Sequence, residues 1–112
     1  MKLGYSAWSM PMLPVDEQIR ATAEIGYTGL ELICIERSST DLETLDAAER
    51  RRIRSLLDAA GLDLPALHAS VNPIAPDPAI AARNIDRLRR SIDLATDIAR
   101  GTPPAIVLMR NG

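Results

Sequence analysis

The 112-residue chain has one cysteine and one histidine. A lone thiol, Cys34, excludes an internal disulfide. With no second cysteine or histidine beside it, metal ligation and nucleophilic catalysis have no support there, and Cys34 reads as strand filler. No apolar run approaches the ~18 residues that a membrane span needs. Met1-Lys2 leads straight into a strand rather than a secretory signal, so a cytoplasmic address and no membrane partner are expected. A large charge of one sign is missing as well. The net charge of −2 gives no electrostatic reason to expect nucleic acid or an anionic membrane surface. The arginines do cluster, at Arg50, Arg51, Arg52 and Arg54 and at Arg87, Arg89 and Arg90. Each group lies in a predicted helix near Glu49, Asp58, Asp86 and Asp93, which reads as a solvated helix face. Neither GxGxxG nor GxxxxGK[ST] follows the first strand, so a dinucleotide or P-loop site has no support. The loop there is Ser6-Ala7-Trp8-Ser9-Met10-Pro11-Met12-Leu13-Pro14, apolar and with nothing to cradle phosphate.

What is present is a repeating joint. Helix-like stretches close at Gly26, Gly61 and Gly101, 35 and 40 residues apart, and a short apolar strand follows each. With a strand at residues 2–5 the order is β-α-β-α-β-α-β, which selects a parallel sheet with crossover helices. An apolar content of 46% is enough for the core of a single domain.

The helix ends carry the clearest signals. Helix one is expected over Val15–Ile25: Pro14 ends the loop, Asp16 and Glu17 suit the positive end of the dipole, and Gly26 stops it. Asp46 and Glu49 are spaced as in a capping box, and Ile53, Leu56, Leu57 and Ala60 form the stripe of helix two, which ends at Gly61. Asp77-Pro78 opens helix three, whose expected apolar face is Ile85, Leu88, Ile92, Ala95 and Ala99, with Gly101 closing it. Residues 30–35 and 105–109 are nearly continuous apolar runs, as in parallel strands covered on both faces. A doubly wound sheet, a small open parallel sheet and a (β/α)8 barrel all share this grammar.

Several segments resemble one family. Lys2-Leu3-Gly4-Tyr5-Ser6-Ala7-Trp8 is similar to the first strand of the xylose isomerase-like TIM barrels, the sugar phosphate isomerase/epimerase group. Ala23-Glu24-Ile25-Gly26-Tyr27-Thr28-Gly29-Leu30-Glu31-Leu32 resembles its passage from helix one to strand two. The run from Leu56 through Gly61 to His68-Ala69 resembles the next passage, and Arg90-Ser91-Ile92-Asp93-Leu94-Ala95 followed by Ile106-Val107-Leu108 the one after it. The four lie in register along the whole chain. The resemblance implies α/β architecture, with residues 1–112 forming the N-terminal half of a (β/α)8 barrel, for which ~250 residues is typical. It also implies a divalent cation (Mn, Mg, Co or Zn) and proton transfer next to a carbonyl of a sugar or polyol. In metal-using relatives the ligands and the proton-moving glutamates come from strands five to eight, which lie beyond this sequence. On that reading the chain is a truncated product, a fragment or one part of a split protein.

Chemistry in such barrels sits at the C-terminal ends of the strands. Trp8 follows strand one and either meets the sugar, as the resemblance implies, or plugs the barrel mouth. Glu31 stands between Leu30 and Leu32, and a buried carboxylate there needs a cation, a hydrogen-bond network or the barrel interior. His68 ends strand three; it is either a satisfied strand-end histidine or a substrate contact, and one imidazole cannot make a closed zinc site. Arg110 and Asn111 follow strand four, as groups for a hydroxyl or phosphate or as a frayed tail. Three readings compete: a metal-dependent sugar isomerase/epimerase, a catalytically silent half-barrel that self-associates or pairs with a complementary half, and a DNA-repair endonuclease of the same superfamily. Acidic net charge and a single histidine argue against the third.

Overall fold

A computed structural model of the chain describes residues 2–69, 71–99 and 105–107. The elements run β1 (Gly4–Ser6), a 3-10 turn (Ala7–Ser9), α1 (Val15–Ile25), β2 (Gly29–Ile33), a second 3-10 turn (Leu42–Thr44), α2 (Ala47–Ala60), β3 (Ala66–His68), α3 (Pro78–Ile98) and β4 (Ala105–Val107). The four strands form one parallel sheet in the order β1-β2-β3-β4. Helices α1, α2 and α3 pack side by side.

The helix ends follow from local chemistry. Gly26 and Gly61 cap α1 and α2 at φ 105° and 67°, in the left-handed region that costs other residues a steric clash. The Asp46 carboxylate accepts from the Glu49 N–H at 2.8 Å. The reciprocal arm of a capping box is not made, because Arg52 holds both carboxylate oxygens of Glu49. Asp77 caps α3 through the N–H of Ala79 at 2.8 Å, with Pro78 at the first helical position. Gly101, expected to close this helix, and Met109, Arg110 and Asn111 lie outside the described residues.

Strand bounds shift from the sequence expectation. β1 occupies Gly4–Ser6 rather than residues 2–5, because Ser6 pairs with Glu31. β2 ends at Ile33 rather than at residue 35, since the Ile35 carbonyl already accepts from the Ser38 N–H in a turn. β3 starts only at Ala66, after Pro65, which has no N–H to give a ladder.

The two faces of the sheet differ. Leu30, Leu32 and Leu67 are fully buried and join Ile53 and Leu57 of α2 and Leu94 and Ile98 of α3 in the core. Each such side chain is worth about 1.5–3 kcal/mol on burial. Ser6, Glu31, Ile33 and His68, at alternate positions by register, occupy the opposite face.

One expectation is corrected. Ile85 and Ile92 of α3 point outward, 38% and 47% exposed, while Ser91, Leu94, Ala95 and Ile98 are buried. The true inward stripe contains polar residues that are satisfied on the core side. The Arg87 guanidinium donates to the Cys34 carbonyl at 2.6 Å, Ser91 Oγ donates to the Arg87 carbonyl at 2.8 Å, and Cys34 Sγ lies 3.4 Å from Ser91 Oγ. Several clustered arginines tie elements together instead of only meeting water: Arg50 to Asp97, Arg52 to Asp16, and Arg90 to Glu43.

Candidate functional site

Where β1 and β3 end, beside the middle of β2, four side chains converge. Register sets Ser6 opposite Glu31, and Ile33 opposite His68, so the serine, carboxylate and imidazole share one face. Ser6 Oγ donates to Glu31 Oε1 at 2.7 Å. The same oxygen stands 3.9 Å from His68 Nδ1, with the Glu31 side chain 23% exposed. The Trp8 indole stacks on the imidazole, ring centroids 4.8 Å apart and planes 26° from parallel. Trp8 is half-exposed, whereas His68 is only 3% exposed. His68 Nε2 is buried without a hydrogen-bond partner among the described residues. Leaving such a group unpaired is costly, so it marks a place where a polar ligand atom would be welcome.

Loop packing holds Trp8's neighbourhood in place. Gln18, fully buried in α1, donates from Nε2 to the carbonyls of Met10 at 3.0 Å and Leu13 at 2.9 Å. From the loop after β2, the Ser39 N–H donates to the Pro11 carbonyl at 2.9 Å, and Ser39 Oγ donates to the Pro11 and Leu13 carbonyls. The apolar loop noted in the sequence is thus pinned from two sides.

Beside this site runs an ion-pair network. Burial works against the charge of the Asp41 carboxylate, but the N–H groups of Glu43 and Arg37 and the Arg87 guanidinium outweigh it and lower its pKa. Arg90 lowers that of Glu43 chiefly by a direct hydrogen bond. Arg37, at φ 66°, is the one non-glycine with positive φ among the described residues, and its N–H reaches Asp41 Oδ2 at 2.9 Å. Burial pushes the Cys34 thiol up, which makes it a poor nucleophile and agrees with a packing role.

The structure therefore brings Trp8, Glu31 and His68, the three candidates named from sequence, into one cluster. Ser6 and Gln18 were missed. Their contacts depend on a strand pairing and a loop packing that no local pattern encodes. Among the described residues no three His, Cys, Asp or Glu side chains could hold a metal ion together. Glu31 and His68 offer two donors where zinc takes three or four protein ligands.

Residues 19–102 match the family model described as Xylose isomerase-like TIM barrel. The chain belongs to this family. Among solved structures, the fold resembles the apo crystal structure of 3-keto-D-glucoside 4-epimerase from E. coli, with a TM-score of 0.67 and 13% identity. The match covers 88% of this chain and 35% of that one, so the chain spans about a third of the epimerase's length. At this identity the likeness shows the fold alone: a four-stranded parallel sheet with its helices, matching part of a TIM barrel. No curated protein matches the chain. Ser6 and His68 are the last residues of β1 and β3, and the C-terminal ends of the strands are where TIM barrels carry their chemistry.

Proposed function

We propose that this chain carries the substrate-binding strands of a sugar isomerase/epimerase-type barrel, with Trp8, Glu31 and His68 contacting a polyhydroxylated ligand. The observation that carries this reading is His68 under Trp8, with Nδ1 3.9 Å from Glu31 Oε1 and with Nε2 buried and without a hydrogen-bond partner among the described residues. A sugar presents hydroxyls to a carboxylate and an imidazole, and a C–H face to an indole. The reaction of the completed site would be proton transfer next to a carbonyl. The family is commonly metal-dependent, but the donors among the described residues do not fit a cation. A cytoplasmic address belongs to the same proposal; no helix among the described residues is long and apolar enough to cross a membrane.

Trp8 is the only tryptophan in the chain, so its emission reports on the site directly. Titration with ketoses, aldoses and polyols is expected to give a saturable change that Glu31→Gln and His68→Ala abolish. No saturable change with any of them, or an unchanged response in both variants, would overturn the reading.

A second reading, a catalytically silent assembly unit, is favoured by a separate observation. Among the described residues β1 has a sheet neighbour on one side only, and its central Tyr5 and the preceding Leu3 are exposed. Unpaired strand edges invite pairing with another chain. On this reading the protein self-associates or pairs with a complementary half-barrel, and shows no isomerase turnover with Mn²⁺, Mg²⁺ or Co²⁺. A monomer by light scattering at micromolar concentration that unfolds cooperatively on heating, or metal-dependent turnover lost in Glu31→Gln, would defeat it.

A further inference from the structure

Ser6 is the last residue of β1 and the N-cap of the Ala7–Ser9 turn. Its hydroxyl has one proton and two lone pairs, and both capacities are used. It accepts from the Trp8 N–H at 3.2 Å and donates to Glu31 Oε1 at 2.7 Å. A bond to an ionised carboxylate is stronger than one between neutral groups, so Glu31 fixes where the hydroxyl proton points. The lone pairs are thereby left for Trp8. From Trp8 the connection continues through the stacked rings to His68, and from His68 Nδ1 back across 3.9 Å to the same Glu31 oxygen. The four residues close a ring, and Ser6 is the only member bonded to both the carboxylate and the segment carrying the indole.

We propose that Ser6 is the positioning residue of this site, its hydroxyl coupling the Glu31 carboxylate to the seating of Trp8 over His68. The indole cover and the carboxylate then move together, and a ligand that engages Glu31 is felt at Trp8. The functional meaning of this coupling rests on the ligand-binding reading above, but the coupling itself exists without any ligand. The competing account makes Ser6 a turn cap and nothing more.

The composition permits a clean test, because the chain holds one tryptophan and one histidine. In the proton NMR spectrum of the full chain, the His68 ring protons are the only imidazole signals, and an indole stacked on them displaces them upfield. Ser6→Ala is expected to lose that displacement and Ser6→Thr, which keeps the hydroxyl, to retain it. Glu31→Ala leaves the turn cap in place, yet is expected to lose the displacement too. Far-UV circular dichroism checks that each variant is folded; if Ser6→Ala is not, the Glu31→Ala comparison decides alone. Displacement that survives Glu31→Ala, or survives Ser6→Ala in a folded chain, overturns the proposal. If the variants behave as expected but no sugar or polyol perturbs the His68 signals, the positioning role stands and the ligand-binding reading fails.

Discussion

The two faces of one sheet follow different rules although they alternate along the same strands. On the helix side, Leu30, Leu32 and Leu67 are fully buried among apolar partners. On the other side, Ser6, Glu31 and His68 form polar contacts under a half-exposed indole. The first face obtains its free energy from area and packing, which any well-shaped aliphatic group could supply. The second holds groups whose burial is unfavourable unless something binds them. Stability and chemistry are thus separated by a rotation of one residue along the chain.

The comparison can be tested from the largest effect downward. Leu32→Ala should destabilise the chain by about 2–5 kcal/mol, because it opens a cavity between sheet and helices. Denaturant unfolding measures this, and a loss no larger than that of a surface change would refute the assignment of that face. Arg87→Ala should cost about 1–3 kcal/mol, since it strips the Cys34 carbonyl and Asp41 of a charged partner.

Acid should act on the same network. Asp41 and Glu43 ionise in the fold below their ordinary values of 3.8 and 4.5. Their stabilisation is therefore complete above those values and fades as pH falls through the lowered ones. Melting temperature measured from pH 6 downward should drop less in Arg87→Ala than in the parent chain; equal slopes would remove Arg87 from the account.

Next in size is Gly29→Ala, at the N-terminal end of the second face. An added Cβ there would stand 3.2 Å from Pro65 Cδ and 3.3 Å from its Cγ, so the proline must give way. A cost of about 1 kcal/mol is expected in the same unfolding measurement, and a neutral outcome would show that this end of the face is loosely packed. Smallest of all should be Glu31→Gln, within ~0.5 kcal/mol of the parent, because the amide oxygen can still accept from Ser6. A large destabilisation there would place Glu31 in the scaffold and dissolve the contrast between the faces.

Local signals in the sequence carried much of this. Pro14 and Gly26 bracket α1 because a missing N–H and a left-handed φ act on their own residues, whatever the tertiary context. Asp46 and Asp77 mark helix starts for the same reason. Of the face expected for α3, Leu88, Ala95 and Ala99 do meet the core, and Ile85 and Ile92 do not, because burial there also depends on Arg87 and Ser91 finding partners across the fold, and a hydrophobic count treats both as solvent-facing. At the site, Glu31 and His68 stood out because each is a rare type in an apolar strand. Ser6 carried no such contrast: a hydroxyl at a strand end is ordinary until register places a carboxylate opposite it.

The strand order β1-β2-β3-β4 repeats the order of synthesis. A ribosome delivering this chain releases β2 when β1 is already available as its template, then β3 against β2, then β4 against β3. No strand must wait for a later one to be translated before it can pair. Each new βα unit can dock on the growing edge as it emerges, so the nascent sheet has one temporary open side that the next unit covers.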